Sequence, residues 1–459
     1  MRSVEILPHA RFFRGSAKNA YSYVILPVLQ WFLLIESQRF ARRLPVLSDV
    51  AARRGALKHV ALLSFLSGLP LALTTGTLEA WAASEGFALK TIAWLGLAGF
   101  AYLLKPLIAP LIDAIPLRGS RRKMWIRIAG YAIVLCISGM AFGAAGHSLI
   151  IVAVAAFLLA FAAAFFDVAF NAWQIDRFRS VDTDYAVALS VLGFRCAMLV
   201  SGGIAVFYAT SIGWAASLTG IALIALLLIS TIKIDESPLA DTVDEPNPWA
   251  FAWRAAKDWA GKSHLAAFVV FVVSFKLTDA LAQALAGTML LREAGFTLEE
   301  LAIVGKSWGL LAGLIGSVLG AAFATRLKLV PFICIICVLQ GATNLGYLTL
   351  LHGGTLQLLA AVVAFEQLVG GVGNAALLVL TMRLTNPCFS ATQFGIWSSL
   401  GLLPRTIVAP IAAWGVVSFG WHDYLCLTTL ACVPPMIAIW LARNSTVLNE
   451  KWGKHELNT

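Results

Sequence analysis

Long apolar runs, broken by short charged turns, dominate this chain from about residue 57 onward. A helix that crosses a bilayer needs about 20 largely apolar residues. Runs of that kind predict twelve spans, at roughly 59–81, 91–112, 124–145, 149–175, 186–209, 213–233, 265–290, 300–324, 330–351, 356–382, 392–417 and 423–442. Inside the fourth run lies FFDVAFNAWQID (165–176), which breaks the apolar pattern. At ~100° per residue, Asp167, Asn171 and Gln174 share one helical face and Asp176 points the other way. A carboxylate and two amides on one stripe of an apolar helix call for a polar neighbour.

The turns alternate in charge. Arg118, Arg121, Arg122 and Lys123 follow the second run, Arg177 and Arg179 the fourth, and Arg326 and Lys328 the eighth; Arg443, Lys451 and Lys454 follow the last. The intervening turns are nearly free of Lys and Arg, so the positive-inside rule places both ends of the bundle in the cytoplasm. Between runs six and seven lies the polar segment IDESPLADTVDEPNPWAFAWRAAKDWAGKS, Pro-rich and then aromatic and basic. A connector along the cytoplasmic membrane surface has that composition. The halves on either side look related. GFALKTIAWLG (86–96) aligns with GFTLEELAIVG (295–305), and SVLG (190–193) with SSLG (398–401). The predicted organisation is an extension at 1–56, a six-helix bundle at 57–233, a linker at 234–262, a second bundle at 263–443 and a cytoplasmic tail at 444–459. Within the extension, residues 21–35 are apolar but short for a span. Parallel half-repeats of this size are the plan of major-facilitator transporters, with substrate held between the halves near mid-membrane. The expected fold class is all-α integral membrane, of that type.

Composition sharpens the picture. Of 459 residues, 59% are hydrophobic and 13% charged, against about 25% charged in soluble domains. Soluble enzyme classes are thereby excluded. The net charge of +10 fits cytoplasmic loops facing anionic lipid, and nucleic acid is not an expected partner. The seven cysteines lie mostly in apolar runs. Cys334 and Cys337 form a CxxC, but mid-span and without the second pair a zinc ribbon needs. The two GKS matches lack the upstream glycine of a phosphate loop, since Ala256 and Glu300 occupy those places. No metal or cofactor is expected, and no enzymatic activity.

Ionisable residues inside spans are costly and usually face a cavity or one another. The basic candidates are Lys105, Arg195, Lys276, Lys306 and Arg405; the acidic ones are Glu79, Asp167, Asp279 and Glu366, with Asp113 and Asp176 near span ends. Lys276, Asp279 and Gln283 share a face of span seven, where Lys276 and Asp279 can pair. Structural pairing competes with a functional role for each one singly; nine together argue for a wet central path. Gly309, Gly313, Gly316 and Gly320 run down one face of span eight, and Gly370 and Asn374 share a stripe with Glu366. Such stripes serve either sliding halves or static packing.

Several stretches resemble the AmpG-type muropeptide permeases of the major facilitator superfamily. They are SGLPLALTTGTLEAWAASEGFALKTIAWLGLAGFAYLLKPLIAPLID (67–113), SVLGFRCAMLVSGG (190–203), FKLTDALAQALAGTMLLREAGF (275–296), VGKSWGLLAGLIGSVLG (304–320), LQGATNLGY (339–347), AFEQLVGGVGNAAL (364–377) and NPCFSATQFGIWSSL (386–400). The resemblance covers roughly 57–443. It implies import of N-acetylglucosaminyl-anhydromuramyl peptides across the bacterial inner membrane, driven by protons; siderophore permeases lie in the wider family. It also implies that the acidic and basic turn at Asp113, Arg118, Gly119, Arg121, Arg122 and Lys123 latches helices on the cytoplasmic side, although positive-inside chemistry accounts for the arginines equally well. The family pattern at the opening stretch resembles QDIVFDAW followed by a basic residue. Asp167 keeps the first acid, while Phe166, Asn171 and Gln174 replace the Gln, the second acid and the basic residue. Glu79 stands where Gln is usual.

On this reading Asp167 is the expected proton acceptor, tuned by burial and by a nearby Arg195, with Glu366, Asp279 and Glu79 as further candidates. Arg195, Lys276, Lys306, Arg405 and Lys105 would attract cargo carboxylates. Asn171, Gln174, Gln283, Gln367 and Asn374 would hydrogen-bond sugar hydroxyls and amides, and Trp81, Trp94 and Trp308 would stack on sugars or anchor at the interface. The expected partners are a sugar–peptide or siderophore-like solute, protons and lipid, with the carrier a monomer. A sensor or membrane enzyme is disfavoured because no nucleophile, metal cluster or output domain is visible.

Overall fold

The computed structural model describes residues 47–87, 95–117, 122–178, 182–232, 247–297, 304–324 and 327–445, with residues 120, 234, 300, 301 and 448. The short apolar segment at 21–35, Trp94, the side chain of Lys306, Arg118, Arg121, Arg179, Arg326 and the end of the tail lie outside these. From Leu57 onward the described chain forms one compact unit.

Every described element is helical apart from one isolated bridge, Leu117–Ser120. In the first half these are α1 (Leu47–Leu73), α2 (Gly76–Ser84), a 3₁₀ stretch (Gly96–Leu104) leading into α3 (Lys105–Ala114), α4 (Lys123–Ala145), α5 (Leu149–Arg177), α6 (Asp182–Met198), a π-helical turn (Leu199–Ile204), α7 (Ala205–Ile212) and α8 (Trp214–Thr231). The linker contains α9 (Pro248–Ala260). The second half has α10 (Leu265–Arg292), a π-helical turn (Val304–Gly309), α11 (Leu310–Ala324), α12 (Leu329–Leu348), α13 (Leu356–Arg383), α14 (Ser390–Leu430) and α15 (Val433–Leu441). Nine helical stretches among the described residues are long and apolar enough to cross a membrane. Helix coincides with each predicted span, though with breaks that hydropathy does not show. The first breaks after Leu73, where the Thr74 and Thr75 hydroxyls bond back to the carbonyls of Pro70 at 2.9 Å and Leu71 at 2.8 Å. The eleventh and twelfth run together in α14, which turns at Gly420 (φ +77°).

The internal repeat is written in the backbone. Gly86 (φ +78°) and Gly295 (φ +75°) both turn through the left-handed region, 209 residues apart. Gly213 (φ +85°) and Gly420 (φ +77°) do the same, 207 apart. A side chain at such a position is strained, which is why glycine recurs there. The aligned SVLG and SSLG segments pack on the first helix of their halves, the first tightly and the second loosely. Gly193 of α6 presses on the backbone of α1 at Ala61, and Gly401 of α14 meets Val272 of α10.

The halves meet where α6 packs on α11 and where α3 packs on α14. The glycine stripe of α11 serves a different contact, the one with α13 inside the second half. A Cβ on Gly316 would lie 2.0 Å from the Leu368 carbonyl oxygen, and one on Gly320 2.6 Å from Val372 backbone. At Gly316 and Gly320 the stripe is close backbone packing within one half, while Gly313 also faces Arg195 of the first half. Gly316→Ala forces two helix backbones apart, and overpacking of this kind costs about 1–3 kcal/mol. A lower melting temperature in detergent is the expected result, and unchanged stability would show that α11 and α13 separate freely.

Candidate functional site

The first polar cluster is built around Asp167 of α5. Lys105, the first residue of α3, donates to Asp167 Oδ2 at 2.5 Å. Ser67 of α1 donates to Oδ1 at 3.3 Å, and Asn171 to Oδ1 at 3.0 Å and to the Asp167 carbonyl at 2.7 Å. The ion pair is well shielded, with Lys105 7% and Asp167 19% exposed. The expectation that Arg195 tunes Asp167 is thus corrected: Lys105 is the partner. The 3₁₀ stretch delivers Lys105 to α5, while Arg195 of α6 lies with its Nη1 and Gln367 both against Gly313. Asn171 and Gln174 are buried. Gln174 accepts from Ser190 at 2.9 Å, and Ser190 pairs with Ser64 at 2.8 Å.

The second cluster lies in the second half. Tyr347 of α12 donates to Glu366 Oε2 at 2.5 Å, and Gln283 of α10 lies near the same carboxyl. Lys276 donates to Asn374 Oδ1. The expected Lys276–Asp279 ion pair is not formed among the described residues, because the ammonium turns toward α13; Asp279 still lies within its field and that of Arg405. Arg195 and Arg405, from opposite halves, are close enough to repel, and both act on Lys276. The structure thus gathers Arg195, Lys276, Asp279, Gln283, Glu366, Gln367, Asn374 and Arg405 from α6, α10, α13 and α14. Glu79 is exposed on α2, Trp81 is buried and Trp308 is exposed. Tyr347, Ser67 and Ser190 lie inside the stretches that carry the resemblance, but without a charge the sequence did not mark them out.

A third cluster closes the charged end of the bundle. Arg122 donates through Nε to Asp176 Oδ2 at 3.0 Å, through Nη1 to the Ile112 carbonyl at 3.0 Å, and through Nη2 to Asp113 and to Ser390 Oγ at 2.9 Å. Ser390 donates to Asp176 Oδ1 at 2.6 Å. Asp113 accepts from the Ala391 N–H at 3.3 Å, the Thr392 N–H at 2.7 Å and the Thr392 hydroxyl at 2.6 Å. These residues open α14, where free N–H groups and the helix dipole favour an anion. Gln393 follows with a 2.6 Å bond to Asp258 of α9. The motif SATQF is thereby explained residue by residue: Ser390, Ala391, Thr392 and Gln393 bind the first half and the linker.

Two polar clusters inside an apolar helical bundle, with a charged clasp at one end, are what a carrier needs. The profile of the Major Facilitator Superfamily matches residues 60–409. The anhydromuropeptide permease of Escherichia coli K12 is 37% identical over 388 residues, spanning 84% of this chain and 79% of that protein. The chain belongs to the AmpG-type branch of the Major Facilitator Superfamily. A putative transporter named AmpG 4 from Rickettsia felis is 28% identical over 395 residues, 83% of this chain and 95% of that one. Among solved structures, the proton:xylose symporter XylE matches with a TM-score of 0.64 at 13% identity, covering 85% of this chain and 96% of its own. The E. coli fucose:proton symporter FucP matches at 0.65 and 14%, covering 84% and 98%. At such identities these two likenesses speak for the fold alone. This facilitator is a multi-pass membrane transporter, not an enzyme.

Proposed function

We propose that this facilitator imports anhydromuropeptides, N-acetylglucosaminyl-anhydromuramyl peptides, across the bacterial inner membrane by proton symport with alternating access. The observation that carries the cargo is the 37% identity over 84% of the chain to a protein named for it. The site chemistry supports the same reading. Arg195, Lys276 and Arg405 place cationic charge where peptide carboxylates need it, and Arg195 and Arg405, one from each half, would both gain from an anionic ligand between them. Gln283, Gln367 and Asn374 line the same region with amides suited to sugar hydroxyls and peptide groups. In this proposal 57–233 and 263–443 are the two moving halves, 234–262 the linker, 1–56 an extension and 444–459 a tail. In this reading the clasped end faces the cytoplasm, the clasp closes the carrier to that side, and the carrier works as a monomer.

For the proton, geometry favours Glu366 over Asp167, Asp279 and Glu79. Asp167 has an ammonium as its counter-charge. Glu366 is buried and accepts a hydrogen bond from the Tyr347 phenol. A desolvated carboxyl with only neutral donors is the group whose charge is most costly to keep.

The decisive experiment is uptake into energised vesicles containing the purified protein. Labelled anhydromuropeptide should accumulate, and a proton uncoupler should abolish the accumulation. Ferric siderophores should not compete. Accumulation of the siderophore instead, with the muropeptide inert, would replace the cargo.

A further inference from the structure

The linker helix α9 has two faces that the transport cycle leaves unequal. Phe251, Ala255 and Asp258 lie on one side, and Phe251 and Ala255 are buried. Phe251 packs edge-on against Phe389 with centroids 5.2 Å apart, and Ala114 at the end of α3 joins the same small core. Asp258 accepts from Gln393 at 2.6 Å and from Asn386 at 3.2 Å. Trp259 meets Trp397, centroids 5.4 Å apart. On the opposite side Trp249, Trp253 and Lys257 recur every fourth residue in one stripe. Trp249 is 67% and Trp253 74% exposed, and Lys257 is exposed too.

Two indoles are an expensive pair to hold in water. Tryptophan favours the boundary between headgroups and acyl chains, where the ring is dehydrated and its N–H finds acceptors. The depth of α9 suits that boundary. It packs against the last turn of α3 and the first turns of α14, and Trp397 lies seven residues into α14, about 10 Å along the axis. The charge suits it as well. The one acid of the helix, Asp258, is engaged by Gln393 and Asn386 and by the Lys262 ammonium at 3.8 Å. The outward stripe carries Lys257, with Arg254 beside it. Amphipathic helices with Trp and basic residues on the outward side bind anionic lipid in this way.

We infer that α9 is an interfacial clamp: Trp249 and Trp253 insert into the headgroup region of an anionic bilayer and Lys257 holds its phosphates. The partner is the lipid surface itself. Because Asp258 grips Gln393, next to Thr392 of the clasp, the bilayer surface braces the closed end of the carrier. A helix fixed to lipid on one side and to α14 on the other resists the separation of α3 from α14.

The test uses the full-length protein with 5-fluorotryptophan in lipid nanodiscs, read by fluorine NMR. Trp249→Phe and Trp253→Phe serve only to assign two resonances in the parent spectrum. Nanodiscs contain phosphatidylglycerol or phosphatidylcholine alone, with a nitroxide carried near the lipid headgroup or a gadolinium chelate dissolved in the water. Both resonances should broaden with the lipid nitroxide and resist the chelate, more so with phosphatidylglycerol. Lys257→Glu should reduce the phosphatidylglycerol preference while leaving the Trp397 environment unchanged. Resonances that broaden with the aqueous chelate and ignore the lipid nitroxide would overturn the inference, as would equal behaviour in the two lipids. Neither result depends on the cargo or on proton coupling.

Discussion

Glu366→Gln is expected to abolish accumulation of cargo against a gradient while leaving binding and exchange intact. The reason lies in what surrounds the carboxyl. Tyr347 donates to it at 2.5 Å, and Gln283 and Asp279 lie near it. Gln keeps the shape and can still accept from Tyr347, so it imitates a permanently protonated site. Downhill exchange, which needs no net proton movement, should persist, and uphill uptake should fall by more than an order of magnitude. Tyr347→Phe should weaken coupling less, because the carboxyl itself remains. Asp167→Asn should behave differently. It leaves the shielded Lys105 ammonium without its counter-charge, and breaking a buried pair from one side costs about 3–5 kcal/mol. Low folded yield is the expected result, rescued by adding Lys105→Met. If instead Asp167→Asn folds normally and loses uphill uptake while Glu366→Gln retains it, the proton belongs to Asp167.

The spans were legible because hydropathy over about 20 residues is a strong signal, and the repeat because Gly86 and Gly295 need a backbone that other residues resist. The partners of the charged side chains were not. Lys105 and Asp167 are 62 residues apart, and Lys105 reaches α5 by way of a 3₁₀ stretch that no pattern announces. Nor could the stripe at Gly316 name its neighbour: small residues say that something comes close, and only Leu368 says what. The departure at Asn171 acquires a reason. Its amide donates to Asp167 Oδ1 at 3.0 Å, where a second acid would need a proton of its own to make the same bond. The neutral residue keeps one charge on each side of the Lys105–Asp167 pair. The SATQF motif was legible as a resemblance and silent as chemistry, because its contacts with Asp113 lie 278 and 279 residues away.

Arg122→Ala should open the clasped end. Arg122 is 3% exposed in its side chain and touches Asp113, Asp176, the Ile112 carbonyl and Ser390 at once. Removing it leaves two buried carboxylates without the guanidinium between them, at a cost of about 3–5 kcal/mol. Not all of that is lost from the fold. Ser390 and Thr392 belong to the second half, so much of the network exists only while the halves touch at this end. Of Arg122's own contacts, however, Asp113, Asp176 and the Ile112 carbonyl share its half and only Ser390 lies across, so the loss falls on both states and the closed one loses the Ser390 bond in addition. The part specific to the closed state is one charge-assisted hydrogen bond, about 1.5–3 kcal/mol, and each ~1.4 kcal/mol changes a two-state ratio tenfold. Arg122→Lys should give an intermediate effect, since a single ammonium cannot fork between two carboxylates. Ser390→Ala removes two charge-assisted hydrogen bonds that cross between the halves, about 1.5–3 kcal/mol each, and should open the same end. Spin labels on the ends of α3 and α14 read the outcome directly as a longer distance in Arg122→Ala. A folded Arg122→Ala protein with the parent's distance distribution and uptake would show that the clasp is packing alone, and that the gate of this carrier lies at its other end.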